Sequence, residues 1–281
     1  MRLTVSCIAW PPEADAEAAT ILREHAVSAV ELAPARVCER PWEASPVEVA
    51  ACRTAWERRG LPIVALQALL FGRSDLSLFG DTPSRQRLFE HLAAIIDLAA
   101  GLGARRLVFG SPKQRVRGAL GLAEAEAIAI EFFRELGKRA ADRGVWLCIE
   151  GNPVQYGCDF LVDSQQVIGF VAQVHQRGLG VHLDTGGMKL AGESPASVIA
   201  AAGPSWRHVH ASEPHLVPLG EGGVDHAAVA AALRAVGYAG YVSVEMVQGP
   251  AGTSWRERLE RALTVATRSY GHSAAIRSNA A

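Results

Sequence analysis

Val145–Asn152 reads VWLCIEGN. Its first five residues have the apolar, partly β-branched character of a buried strand, and the run passes directly into the carboxylate of Glu150. A side chain at the end of a strand is held by the backbone pairing behind it, so Glu150 is a rigidly placed acid. Three later stretches repeat the arrangement: VHLDTGG around Asp184, RHVHASE around His210 and YVSVEM around Glu245. Each is an apolar strand carrying one potential metal ligand.

Working outward from these, eight short apolar runs are legible: Leu3–Ala9, Ala29–Ala33, Pro62–Ala68, Arg106–Gly110, Val145–Glu150, Leu179–Asp184, Arg207–Ala211 and Tyr241–Met246. Between them lie segments with helical spacing and recognisable stops. Pro46–Arg59 ends at Gly60, Thr82–Ala100 starts at an Asp81 cap and ends at Gly101, and Ala123–Arg143 ends at Gly144. Ser164–Arg177 has Asp163 as its cap, Ser194–Ala202 has Pro195 at its first helical position, and Asp225–Val236 and Ser254–Ser269 complete the set.

Strands alternating with helices at roughly 30-residue intervals require parallel pairing with crossover helices, because a tight turn cannot join parallel neighbours. Eight such units predict an α/β fold of the (β/α)8 TIM-barrel type, whose usual size is about 250 residues. An open doubly wound sheet is the competing architecture. It normally announces a nucleotide site with a glycine fingerprint after the first strand, whereas that strand here ends in CIAWPPEAD. The expected organisation is a single barrel domain over residues 1–270 and a disordered tail over residues 271–281, GHSAAIRSNAA, which lacks apolar periodicity.

Composition limits the partners. Of the 281 residues 49% are apolar, enough for a large core, and the formal charge of −1 supplies no broad positive field for nucleic acid or an anionic membrane. A small or neutral ligand is expected. The five cysteines are scattered, without CxxC pairs, which fits a reducing compartment. MRLTVSCIAW is too short and polar for a signal segment, and no apolar run approaches the roughly 18 residues of a membrane helix. A cytoplasmic location is the expectation.

In barrels of this kind the active site lies at the C-terminal ends of the strands. Glu150, Asp184, His210 and Glu245 close strands five to eight, so they are expected to share one mouth and ligate one divalent metal ion. Three carboxylates and one imidazole suit Mn²⁺ first, with Mg²⁺, Co²⁺ or Zn²⁺ as alternatives. No buried basic residue near them in sequence offers to neutralise the acids. Glu150 and Glu245 are also candidate catalytic residues. One would remove the proton α to a substrate carbonyl, giving an enediolate, and the other would return it on the opposite face.

Six further residues are candidate substrate contacts. Gln67 ends strand three and would bind a hydroxyl. His182 and His208 face the same side of their strands as Asp184 and His210, where each is either a substrate contact or a hydrogen-bonded core histidine. Glu213 is placed to orient His210 through its second ring nitrogen. Lys113 and Arg115, in FGSPKQR after strand four, would anchor an anionic group. Glu31 near the end of strand two lines the mouth or pairs with a loop arginine. Trp10 forms either a wall for a sugar ring or part of the core. The connection Ala68–Asp81 carries Leu70, Phe71, Leu76, Leu78 and Phe79, an apolar set expected to be exposed and to need a cover, as a lid or in a homodimer or homotetramer.

The order CIEGN, HLDTGGM, HVHASE, PLGEGGVD, SVEM resembles the xylose-isomerase-like superfamily, in particular its sugar phosphate isomerase/epimerase and ketose 3-epimerase branch, over nearly the whole chain. The resemblance implies a metal site at Glu150, Asp184, His210 and Glu245, with Glu150 and Glu245 as the proton-transferring pair. Two departures stand out. Ketose 3-epimerases carry a substrate-binding histidine three residues after the metal aspartate, where this chain has Gly187, and an arginine within a stretch that here reads EPHLVPLG. The endonuclease IV branch adds histidine ligands whose equivalents here are Gln67, Ser111 and Gly187.

The function so implied is a metal-dependent isomerase or epimerase of a small sugar, sugar phosphate or related polyol or hydroxycarbonyl compound. Two alternatives remain on the same barrel: a metal-dependent lyase that dehydrates a cyclitol or dehydroshikimate-like substrate, and a non-catalytic binding or partner subunit.

Overall fold

The computed structural model describes residues 1–271; the expected tail, Gly271 apart, lies outside the described residues. Eight strands are present among them: β1 Arg2–Ser6, β2 Ala29–Leu32, β3 Ile63–Leu66, β4 Arg106–Phe109, β5 Trp146–Glu150, β6 Leu179–Asp184, β7 Trp206–Ser212 and β8 Tyr241–Glu245. Each pairs in parallel with the next, and β8 pairs with β1 through Arg2↔Tyr241 to Val5↔Val244, closing the barrel. The expected TIM barrel is therefore the fold of this chain.

The helices are α1 Asp15–Glu24, α2 Pro46–Arg58, α3 Thr82–Leu102, α4 Leu122–Asp142, α5 Ser164–Val174, α6 Thr185–Leu190, α7 Pro195–Ala202, α8 His226–Ala235 and α9 Trp255–Tyr270. Local chemistry sets their ends. Ser45 and Glu48 form a reciprocal capping box at α2, Asp81 accepts from Ser84 N at 2.8 Å at α3, and Gly103 stops α3 in the left-handed region at φ 85. Two helices escaped the sequence reading. α1 has Ala14 at its N-cap, whose side chain cannot cap, and α6 contains Gly186 and Gly187.

Alternation along the strands builds two different layers. Val5, Val30, Leu32, Val181, Leu183, Val209, Val242 and Val244 belong to the apolar layer between sheet and helices, where Phe133 meets Phe109 and Phe170 edge to face at 5.3 and 5.7 Å. Their neighbours Thr4, Ser6, Glu31, His182, His208, His210 and Ser243 are polar and buried. Apart from Thr4 and His182 they hydrogen-bond across the barrel, Ser243 Oγ to Glu31 and Gln67 Nε2 to Ser6 Oγ included, which places this layer on its axis. The interior of this barrel is a polar column, open to chemistry at its C-terminal end.

The apolar connection after β3 is not exposed as expected. Leu70, Leu76 and Leu78 are buried, and Phe79 packs edge to face on Phe160 at 5.0 Å. Of the five, Phe71 alone stands out at 78% exposure, so this segment no longer argues for an oligomer. Trp10 is core: it packs against Trp56 and donates to Asp15 at 2.8 Å. Among the described residues no helix is long and apolar enough to cross a membrane.

Gly178 leads into β6 at φ +86, and a Cβ there would overlap Gly137 O and Ala141 N of α4. Both atoms are backbone and cannot rotate away. Gly178→Ala should cost about 3 kcal/mol and lower the Tm by roughly 5–10 °C. An unchanged calorimetric Tm would show that the α4–β6 contact is looser than this.

Candidate functional site

Glu150 ends β5, Asp184 ends β6 and Glu245 ends β8, and all three line one cavity of about 450 Å³ at the barrel mouth, together with Gln67, Asn152, Tyr156 and His215. Parallel strands bring this about by themselves, because every strand presents its C-terminal end to the same rim. Asp184 does two jobs there. Its Oδ1 caps α6 by accepting from Gly187 N at 2.5 Å, and its Oδ2 accepts from Ser212 Oγ at 2.5 Å. Close backbone approach explains the glycines around it: a Cβ on Gly186 would press on the Glu213 carbonyl, and one on Gly110 would overlap Glu150 Oε2.

His210 lies on β7 just inside the mouth, 1% exposed. Its Nδ1 is 3.1 Å from Glu245 Oε2, and its Nε2 is 3.0 Å from Glu31 Oε2. Burial alone would lower its pKa, yet the charges of Glu31 and Glu245 hold it well above the ordinary histidine range. Both ring nitrogens therefore donate. Glu31 shows the mirror image: burial would raise its pKa, but the charges of His210 and His208 and the bonds from them keep it well below the carboxylate range. The sequence expectation that Glu213 orients His210 is corrected here, since Glu31, 179 positions from His210, does so.

The other acids are destabilised as anions. Burial, then the charges of Asp184 and Glu245, push Glu150 up to about 8, and burial with Glu245 pushes Asp184 up to about 6. Crowded buried carboxylates of this kind ask for a cation. The donor set fits a divalent one, because oxygen donors dominate and a single imidazole completes them. The groups whose ligand atoms lie within 4.8 Å of one another are His182 with Asp184 and His210, and Glu31 with His208 and His210, so that of the four expected ligands Asp184 and His210 are brought this close while Glu150 and Glu245 stand outside these groups. His182 is fully buried with neither ring nitrogen partnered, and burial holds it neutral.

The candidate substrate contacts divide. Gln67 lines the cavity. Lys113 is exposed and absent from the lining. Arg115, expected beside the mouth, is buried behind Glu150 instead: its Nη2 donates to the Glu150 carbonyl at 2.7 Å, while Nε and Nη1 have no partner. It is the buried base near the acids that sequence neighbourhood did not disclose. His182 and His208 sit below the mouth in the polar column, and His208 Nε2 is 3.3 Å from Glu31 Oε2. Glu213 holds the PLGEGG loop, accepting from Gly220 N at 2.7 Å and Val224 N at 2.9 Å, with His226 at 3.2 Å.

Among the cavity residues that escaped the sequence reading are Asn152, Tyr156 and His215. Asn152 follows Glu150 by two positions, and its buried Nδ2 has no partner. Tyr156 accepts from His215 N at 3.0 Å through its hydroxyl, and His215 and Leu216 are both left-handed, at φ 58 and 56. Consecutive non-glycine residues in that region are strained, a feature that clusters at ligand sites. Only the strand-end position of Asn152 could have signalled it.

A closed parallel barrel with a carboxylate-rich mouth defines a class, and the family follows. The family model described as xylose isomerase-like TIM barrel matches residues 19–265, and the chain belongs to that family. A ketose 3-epimerase of Arthrobacter globiformis is 29% identical over 161 residues, 56% of this chain and 54% of that protein. An L-ribulose 3-epimerase of Methylomonas sp. (strain DH-1) is 30% identical over 122 residues, 43% of this chain and 42% of that protein. The chain thus matches about half the length of these curated relatives. A D-psicose 3-epimerase crystallised in the presence of D-fructose superposes with TM-score 0.79 at 19% identity, over 97% of this chain and 100% of that one. A structure described as the IOLI protein with a binding zinc atom gives 0.75 at 19% identity, over 96% and 98%. At such identities these structures establish the common fold.

In protein stripped of divalent ions, the raised pKa values make the native state bind more protons than the unfolded chain between about pH 4 and pH 8. Stability contributed by Glu150 therefore falls as pH rises through that window. Measured as the difference in Tm between the stripped wild type and Glu150→Gln, the wild type should lose ground from about pH 5 to about pH 8. A difference that stays constant with pH would contradict the crowding.

Proposed function

We propose that the chain is a divalent-metal-dependent epimerase or isomerase of a small ketose or related hydroxycarbonyl compound. The observation that carries this reading is the placement of Glu150 and Glu245 at the two ends of the arc β5–β8, lining one cavity with Asp184, while His210 on the intervening β7 lies buried against Glu245. Similarity to the ketose 3-epimerase and the L-ribulose 3-epimerase supports the same class.

In this reading Glu150, Asp184, His210 through Nδ1, and Glu245 hold the cation. When bound it supplies the positive charge that stabilises an enediolate. Glu31 keeps the His210 Nε2 proton, so that Nδ1 is free to ligate once its own proton leaves. One of Glu150 and Glu245 removes the proton next to the substrate carbonyl, and the other delivers a proton to the opposite face. Gln67 and the unpartnered Asn152 Nδ2 bind substrate hydroxyls, and Tyr156 and His215 form the wall. Among the described residues no lysine or arginine lines the cavity, which favours an unphosphorylated substrate over a sugar phosphate.

Incubation of D-fructose, D-psicose, D-tagatose and L-ribulose with the Mn²⁺-loaded protein in D₂O, followed by NMR, tests the reaction. Deuterium should enter at the carbon beside the carbonyl, and Glu150→Gln or Glu245→Gln should each slow that exchange by about 10²–10⁴-fold. Exchange that persists in both variants would remove the carboxylates from the reaction.

Metal affinity is a separate readout. Glu31→Gln leaves every proposed ligand in place but loosens His210, and should weaken Mn²⁺ binding by calorimetry about 10–100-fold. Wild-type affinity in that variant would show that Glu31 has no hold on the centre.

A further inference from the structure

The N-terminal ends of the strands surround a second cavity of about 200 Å³, lined by Arg2, Arg105, Arg106, Arg207, His208 and Tyr241 among others. It shares no lining residue with the mouth cavity, which opens at the opposite ends of the strands. Arg2 begins β1, Arg105 and Arg106 stand at the start of β4, and Arg207 is second in β7. Closure of the barrel therefore gathers four guanidinium groups from three places in the sequence, each about a hundred positions from the next.

These guanidinium groups are positioned by neutral partners. Arg106 Nε donates to Arg207 O at 2.9 Å and its Nη1 to Arg105 O at 3.0 Å; Arg105 Nη1 donates to Gly144 O at 3.2 Å; Arg207 Nη1 donates to Trp206 O at 3.0 Å. Arg2 lies 4.0 Å over the Tyr241 ring and Arg207 3.9 Å over the Trp146 ring. Among the described residues no carboxylate lines the cavity and none of the four is ion-paired, although Arg36, Arg53, Arg139 and Arg143 elsewhere are. Arg106 and Arg207 are half-buried, and burial, with Arg106 adding to it, pulls the Arg207 guanidinium below its ordinary range.

Four guanidinium groups without ion pairs, Arg106 and Arg207 half-buried and Arg2 and Arg105 exposed, give one concavity a positive field, and guanidinium forks match oxyanions in shape as well as charge. The volume is below the roughly 300 Å³ at which pockets for drug-sized ligands begin, so the occupant is compact. We propose that this cavity binds a small oxyanion of at least two negative charges, a phosphate or phosphoryl group or a compact polycarboxylate, at the barrel end remote from the mouth.

The full chain is titrated calorimetrically with inorganic phosphate, citrate and fructose 6-phosphate in separate arms. Saturable binding is expected in at least one arm: phosphate and the sugar phosphate binding alike identifies the phosphoryl group, and citrate alone identifies a polycarboxylate. Arg106→Gln and Arg207→Gln should each weaken that binding by about tenfold or more. Arg143→Gln, on the outer surface beside Asp97, should leave it unchanged. A measurement on the wild type covers the chance that a variant misfolds: the bound anion should protect Arg106 and Arg207 from phenylglyoxal, read by peptide mass spectrometry. Absence of saturable binding in all three arms overturns the proposal. Undiminished binding in folded variants, or labelling of Arg106 and Arg207 that the anion does not change, does so too.

Discussion

The buried pair of Glu31 and His210 holds the site together. Both are at most 1% exposed, and each keeps the other charged against the full cost of leaving water. Removing either partner alone would leave an uncompensated charge in the barrel, a loss of about 3–5 kcal/mol in comparable cases. The pair also fixes the imidazole plane, so that Nδ1 faces Glu245 and the mouth. His208 and Ser243 hold Glu31 from its other sides. A preorganised inner layer of this kind supports a ligand set far better than strand geometry alone, because a strand end sets the Cβ and leaves the ring to rotate.

A polar column is a costly filling for a barrel. Stability here comes from the outer layer, where valines and leucines of the strands meet the apolar faces of the helices. The inner layer is satisfied mostly by its own hydrogen bonds. His182, whose nitrogens find no partner, and Thr4, whose hydroxyl finds none, are the exceptions on the axis. His182 lies beside Asp184 and His210.

Glycine does its work here through close approach as much as through turns. Gly110 lets β4 end against the Glu150 carboxylate, and Gly186 lets α6 begin against the Glu213 carbonyl. In this way two acids that look alike in sequence acquire different tasks: Glu150 lines the cavity, while Glu213 accepts from two amides of its own loop and meets His226 at the start of α8.

Strand periodicity and helix stops made the barrel legible in the sequence, and the strand-end positions of Glu150, Asp184 and Glu245 made the mouth legible, because both follow from local rules of period two and period 3.6. The family's motifs were legible for the same reason. What a residue touches across the barrel was not. Glu31 belongs to His210, Arg115 lies behind Glu150, and four arginines meet at the far end, because ring closure joins residues by strand order and register, which no window of neighbouring residues contains. Local pattern by itself determined the scaffold and the rim. Tertiary closure decided which charges face one another, since electrostatic pairing depends on distance in space and not along the chain.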